Sequence, residues 1–250
     1  MTAVRLGEYV WLVGTADDRS PAFTSPYDGN QYLIWDGERG VLLDAGTGLG
    51  ADSWFANVES VAAADAIYLV LISHYHGDHA GGAAAAAAHG WPVAAGEVTA
   101  AAIAAGDEAV TQVARARELG IYPPQFSLRA QASERILADG ESIDVGTVRV
   151  TSLATPGHCD GHFVFLADGP AGLALFTGDV LFAGGLVSLQ AIPDCRLDRY
   201  AESVMRLAEL GIDQLFPGHG DPVLCEAHRD VTSAADSFAR LIPPRNFLNP

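Results

Sequence analysis

The 250-residue chain contains no lysine; its 14 basic residues are all arginine, set against 31 aspartates and glutamates for a formal charge of −17. Without lysine there is no side-chain amine for a Schiff base, which excludes pyridoxal-phosphate and aldolase-type chemistry. A Walker A loop is excluded for the same reason. So acidic a surface repels phosphate backbones and anionic lipid heads, so neither nucleic acid nor a membrane is an expected partner. Cysteine is scarce as well: Cys159, Cys195 and Cys225 are odd in number, widely spaced and without a CxxC, so no disulfide framework is expected. The longest apolar stretch, residues 80–105, is interrupted by Gly90, Pro92 and Glu97 and fails as a membrane span. Residues 1–14 show neither a basic n-region nor an apolar h-region, so no secretory signal is read and the expected location is cytoplasmic. What is present is a hydrophobic content of 49%, enough for a packed core, and eight histidines.

Apolar patterning predicts strands over 9–13, 32–35 and 41–43, the last two flanking an Asp-Gly-Glu-Arg-Gly turn. Helical composition follows over 52–63, and then the run Ile67–Ile72, continuous enough for a strand buried on both faces. A histidine-rich loop leads into an alanine-rich helix over 81–89, a strand over 91–95, and one or two helices over 97–119 that stop at Gly120. Strands are predicted at 143–145, 148–153, 162–166, 173–176 and 212–216, with helices at 198–210 and 226–241. Hairpins first and strand–helix alternation afterwards give an α/β layered sandwich. No long linker interrupts it, so a single domain is expected over 1–250.

One segment carries the chemistry. Ser73-His74-Tyr75-His76-Gly77-Asp78-His79 follows the buried strand directly. In an extended chain residues two apart point the same way, so His74 and His76 can grip one ion; Asp78 and His79, where the chain turns into a helix, can face a second. Three further ligand-type residues each follow an apolar strand and a glycine: His158 in Thr-Pro-Gly-His, Asp179 in Thr-Gly-Asp, and His219 in Pro-Gly-His-Gly. Side chains placed just beyond strand ends converge at a sheet edge, where open α/β sheets build their sites.

Taken in order, Leu43-Asp44-Ala45-Gly46, SHYHGDH, TPGH, TGD and PGHG resemble the five motifs of the metallo-β-lactamase superfamily, over about residues 7–225. The resemblance implies an αββα sandwich of two mixed sheets flanked by helices. It implies a dinuclear site in which His74, His76 and His158 hold one ion, Asp78, His79 and His219 hold the other, and Asp179 bridges them. Asp44 corresponds to a hydrogen-bonding residue beside the site rather than a ligand. His162 matches the second histidine of the TPGHxxGH form in glyoxalase II-like thioesterases, where it supports the ligands. Two divalent ions are implied, zinc first, with iron or manganese as alternatives. A pair of this kind brings the pKa of a shared water down towards ~7, for attack on a carbonyl with no serine or cysteine nucleophile. Asp78 is the candidate catalytic residue, orienting or deprotonating that water. Cys159 reads as a small buried thiol, and His89 and His228 as solvated histidines.

The implied activity is hydrolysis of a small-molecule ester, lactone or thioester, within the glyoxalase II-like and lactonase-like branch. An iron persulfide-type dioxygenase using His74, His76 or His158, and Asp179 is the alternative. A specialised biosynthetic lyase or a non-catalytic metal-binding member stands behind it. About thirty residues follow Gly220, without lysine, a departure from the basic segment with which glyoxalase II holds glutathione. Residues 97–135 read as a helical insertion, serving as a lid, a pocket wall or a homodimer contact. Tyr122 and Phe126 are its aromatic side chains expected to favour an apolar acyl group.

Overall fold

Gly40–Leu43 and Ile67–Ile72 lie side by side and parallel within a seven-stranded mixed sheet. In sheet order β1 (Val4–Arg5), β2 (Val10–Gly14), β3 (Gln31–Trp35) and β4 (Gly40–Leu43) are antiparallel neighbours. From β4 onwards, β5 (Ile67–Ile72), β6 (Val93–Gly96) and β7 (Arg135–Leu137) add in parallel. Parallel neighbours need crossovers. These are α1 (Ala51–Glu59), then α2 (Gly77–Ala80) with α3 (Ala83–Ala88), then α4 (Glu97–Ala105) with α5 (Val113–Glu118). β5 is buried along its length except at Tyr68, whose ring is covered by the Arg39 guanidinium at 4.7 Å. This sheet and its helices form the first of two compact units in the computed structural model, ending at Leu137; residues 2–248 of the chain are described.

The second unit begins at Ala138 and contains a five-stranded sheet of order β12-β11-β10-β9-β8. β8 (Ser142–Val145), β9 (Val148–Ala154), β10 (Phe163–Gly169) and β11 (Gly172–Gly178) form an antiparallel meander, and β12 (Gln214–Pro217) joins β11 in parallel. The crossover to β12 is α6 (Leu197–Ala208). Its buried residues Tyr200, Ser203, Val204 and Leu207 fall at i, i+3, i+4 and i+7, one face of a 3.6-residue helix. α7 (His228–Ala239) buries Val231, Ala234 and Phe238 at matching spacing, and both helices join one apolar cluster with Val164, Leu175 and Leu215 of the sheet.

Strands β1 and β7 were not anticipated from the sequence; both are short, and Ile136 of β7 is more than half exposed. The helix predicted over 81–89 instead starts at Gly77 and breaks at Gly81–Gly82. There the backbone of residues 45–47 lies so close that an added Cβ would overlap the Ala45 and Thr47 main chain. The stretch 97–119 is two helices, parted where Gly106 takes a left-handed conformation (φ 60°). Among the described residues no helix is long and apolar enough to cross a membrane.

Candidate metal centre

In the first unit the candidate ligands follow the C-terminal end of β5, and Asp44 follows that of its neighbour β4. The chain stays extended through His76 (φ −62°, ψ 149°) before α2 begins. Strand parity therefore brings His74 and His76 to one side, with His74 Nε2 and His76 Nδ1 3.1 Å apart. The first turn of α2 then returns His79 over His74, ring centroids 4.3 Å apart. The His79 Nε2 lies 3.8 Å from Asp78 Oδ2.

Asp44 organises this loop. It adopts φ 61°, an uncommon left-handed conformation for a side-chain-bearing residue. Its Oδ1 accepts the Ser73 N–H at 2.7 Å, and its Oδ2 accepts both the Ser73 hydroxyl at 2.8 Å and His79 Nδ1–H at 2.7 Å. Because Ser73 spends its proton on Asp44, its oxygen is left to accept from His74 Nδ1, 2.9 Å away. The network thus assigns both imidazoles the Nδ1–H tautomer and leaves a lone pair on each Nε2, the form a metal requires.

Two further features of this unit hold Asp78. The Tyr122 hydroxyl donates to its Oδ1 at 3.0 Å, and the Gly29 N–H donates to its carbonyl at 2.9 Å. Gly29 follows Asp28, a buried carboxyl that accepts from the Thr24 hydroxyl (2.6 Å), the Thr47 hydroxyl (2.5 Å) and the Thr47 N–H (2.8 Å). Burial pushes the Asp28 carboxyl above its ordinary range, and these hydrogen bonds oppose that shift. The Tyr122 and Phe126 rings pack on Val113 and Leu128 beneath Gly77, almost fully buried.

In the second unit β9 and β11 both lie antiparallel to β10, and β12 is parallel to β11. The C-terminal ends of β9, β11 and β12 consequently share one sheet edge, and His158, Asp179 and His219 follow them. Asp179 has one carboxylate oxygen towards each histidine: Oδ2 lies 3.6 Å from His158 Nε2 and Oδ1 lies 3.5 Å from His219 Nε2. Both separations are too long for hydrogen bonds. They match the ~3.3–3.6 Å edge of a tetrahedron built on 2.0–2.2 Å zinc–ligand bonds. The donor set fits a metal in its chemistry as well, since His158 Nδ1 donates to the Ser188 carbonyl at 3.1 Å and leaves Nε2 as the acceptor.

His162 faces a different task. Its Nε2 accepts the Asp179 N–H at 3.1 Å and its Nδ1 donates to the Thr155 hydroxyl at 3.0 Å, so both ring nitrogens are used within the scaffold. Tyr200 completes the support. Its hydroxyl bonds the Asp179 carbonyl (2.9 Å) and the Val180 carbonyl (2.6 Å), and receives the N–H of Ser188, whose carbonyl holds His158. Burial pushes this phenol well above its ordinary pKa, which keeps it a donor. Gly157 lies against the same helix. Its φ of 144° favours glycine, and a Cβ there would overlap the Tyr200 backbone. Gly157→Ala is therefore expected to cost about 2–4 kcal/mol from strain and overpacking together, read as a lowered urea midpoint at unchanged m.

The other histidines lie apart: His89 stacks on Phe55 and bonds Glu59, and His228 is exposed. Cys159 is fully buried. The tail returns beside β12's end, where Asn246 pairs with Val187 and its side chain bonds both the N–H and the carbonyl of Leu189. That seats the Phe247 ring on Phe182 (centroids 4.2 Å) and beside His219 (6.4 Å). Tyr200, Ser188, Asp28 and Phe247 carry no motif that marked them in the sequence, and Thr155 was marked only as the first residue of the Thr-Pro-Gly-His motif.

Residues 24–219 match the family model described as the metallo-beta-lactamase superfamily. A hydroxyacylglutathione hydrolase of Pseudomonas putida is 29% identical over 170 residues, 67% of this chain and 52% of that protein. Thioesterase pkgB of Emericella nidulans is 27% identical over 197 residues, 78% of this chain and 46% of that protein. The chain thus spans about half the length of the curated relatives it matches. Among solved structures, a variant metallo-β-lactamase of Cronobacter sakazakii superposes with a TM-score of 0.72 at 20% identity, over 96% of each chain. The two mixed sheets flanked by helices are the fold of those enzymes.

Proposed function

The chain belongs to the metallo-β-lactamase superfamily, and from that membership we propose a metal-dependent hydrolase that cleaves an ester, lactone or thioester of a small molecule. The observation that carries this reading is the Asp179 carboxylate, which turns one oxygen to His158 and the other to His219, the posture of a bridging ligand. In the proposed assignment His74, His76 and His158 hold one ion, Asp78, His79 and His219 the second, and Asp179 is common to both. Two divalent ions, zinc in the first instance, would supply a hydroxide nucleophile at neutral pH and polarise the carbonyl under attack.

The chain's own residues do the rest. Asp44, Ser73 and the Ser188 carbonyl fix the imidazole tautomers. Asp78, gripped through Oδ1 by Tyr122, would hold the second ion through Oδ2 and so orient the attacking water beside it. Phe247, stacked on the buried Phe182, presents an aromatic face beside His219, suited to an uncharged apolar acyl or aryl group. The relatives named for hydrolysing hydroxyacylglutathione and for thioesterase activity support the acyl-bond class.

The test joins metal analysis of the purified protein to a panel of lactones, thioesters, phosphodiesters and β-lactams. Two metals per chain and turnover of an acyl substrate that a chelator abolishes are expected. One iron per chain, no hydrolysis across the panel and oxygen uptake with a persulfide would overturn the reading in favour of a dioxygenase.

A further inference from the structure

The insertion between the second and third motifs reaches a candidate ligand of its own unit through the Tyr122 hydroxyl, which donates to Asp78 Oδ1 at 3.0 Å. We propose that Tyr122 is a positioning residue for Asp78, and that the insertion is built to present it. This rests on the assignment of Asp78 as a metal ligand made above.

The construction around Tyr122 is specific. Glu108 and Arg117 form a clip across the insertion at 2.7 Å. Arg117 also donates to the Phe126 carbonyl at 2.7 Å, and Glu108 accepts the Leu128 N–H at 3.1 Å. These bonds close the 117–128 segment into a loop whose apolar side chains, Val113, Tyr122, Phe126 and Leu128, form their own small cluster. Phe126 and Tyr27 meet the Tyr122 ring edge-on, at 4.9 Å and 6.4 Å. The cluster sits against Gly77, where a Cβ would come within 2.9 Å of Val113 and 3.2 Å of both Tyr122 and Phe126. Gly77 therefore lets the insertion press directly on the ligand loop.

A phenol buried in an apolar cluster needs a partner for its hydroxyl. Here the partner is the Asp78 carboxylate, whose terminal torsion is broad and is narrowed by a hydrogen bond to one oxygen. The Gly29 N–H holds the Asp78 main chain and Tyr122 holds one carboxylate oxygen, so the side chain is restrained at its root and at its tip. Oδ2 is then held on the side where His79 Nε2 lies, 3.8 Å away. Hydrogen-bond partners of this kind are worth about 10–100-fold in metal affinity.

The experiment compares Tyr122→Phe, which keeps the ring and removes the hydroxyl, with Phe126→Leu, which loosens the cluster and keeps the hydroxyl. Zinc is titrated into each apoprotein against a chromophoric chelator, and the apoprotein melting temperature and the cobalt-substituted visible spectrum are recorded alongside. For Tyr122→Phe the proposal expects one of two zinc affinities to fall about 10–100-fold. The other affinity stays in place, the apoprotein melting temperature falls only by what one lost hydrogen bond accounts for, and the cobalt spectrum alters at one ion. Phe126→Leu should lower the melting temperature and leave both affinities near those of the wild type. Equal affinities in Tyr122→Phe and wild type would overturn the proposal. So would a loss at both ions tracking a lower melting temperature, since that is what a purely packing role produces. A wild-type chain that takes up no zinc or cobalt at all would sink the hydrolase reading itself, a result distinct from an intact two-site titration indifferent to Tyr122.

Discussion

His76→Ala should abolish turnover, with kcat/KM falling by at least ~10³-fold, equivalent to about 4 kcal/mol of lost transition-state stabilisation. The reason is local. His76 Nδ1 and His74 Nε2 meet 3.1 Å apart, and removing one ring leaves its partner as a single nitrogen where two converged. The ring is almost fully buried, so no neighbouring surface histidine can swing in to replace it. Metal content should drop with activity, to one ion per chain or fewer, and added zinc should not restore the rate. His89→Ala supplies the matched control: its ring stacks on Phe55 at 3.9 Å and bonds Glu59, so turnover should stay at the wild-type level. Wild-type turnover in dialysed His76→Ala would mean that the site has been misplaced.

The candidate ligands were legible in the sequence because their signal is short-range. Four of them fall within residues 74–79, where strand parity followed by one helical turn fixes direction without knowledge of the fold. His158, Asp179 and His219 were legible through a repeated local pattern, an apolar strand, a glycine and then a donor. The antiparallel pairing of β9, β10 and β11 with parallel β12 brings those three strand ends to one edge.

Of the groups that hold the donors, Asp44 and His162 were legible through their motifs; the rest were not, because each acts across a long chain separation with no motif to mark it. Tyr200 reaches the Asp179 carbonyl over 21 residues, Ser188 reaches His158 over 30, and Tyr122 reaches Asp78 over 44. Each is an ordinary helix or loop residue by composition, and only burial and a single hydrogen bond give it a role. Tyr122 and Phe126 show the limit most plainly. Their aromatic character was visible, but composition carries no direction; it is the fold that packs both rings against Gly77 and aims the Tyr122 hydroxyl at Asp78. Phe247, brought beside His219 by the Asn246 side chain gripping Leu189, had no such mark in the sequence.

Asp44→Asn is the second change with a large expected effect, and it works through a proton rather than through shape. Asparagine is nearly the same size and tolerates the left-handed φ of 61° at this position, so the backbone has no reason to move. Its chemistry differs at one atom. Aspartate accepts at both oxygens, from the Ser73 N–H on one side and from the Ser73 hydroxyl and His79 Nδ1–H on the other. An amide has one acceptor and one donor end. With its NH2 towards Ser73 N, two donors oppose each other in a buried site. With its NH2 towards His79, the imidazole must give up the Nδ1 proton and carry it on Nε2 instead, which converts the candidate ligand nitrogen into an N–H. Either orientation leaves a buried polar group mispaired, costing about 1–3 kcal/mol of stability, read as a lower urea midpoint of the apoprotein. The second orientation also removes a metal ligand without touching it, so the affinity of the ion assigned to His79 should fall by at least about 10–100-fold. Nitrogen NMR of the His79 ring distinguishes the two, reporting Nδ1–H in the wild type and Nε2–H in the variant. An unchanged tautomer together with wild-type zinc affinity would show that Asp44 braces the Ser73 turn and has no hold on the metal.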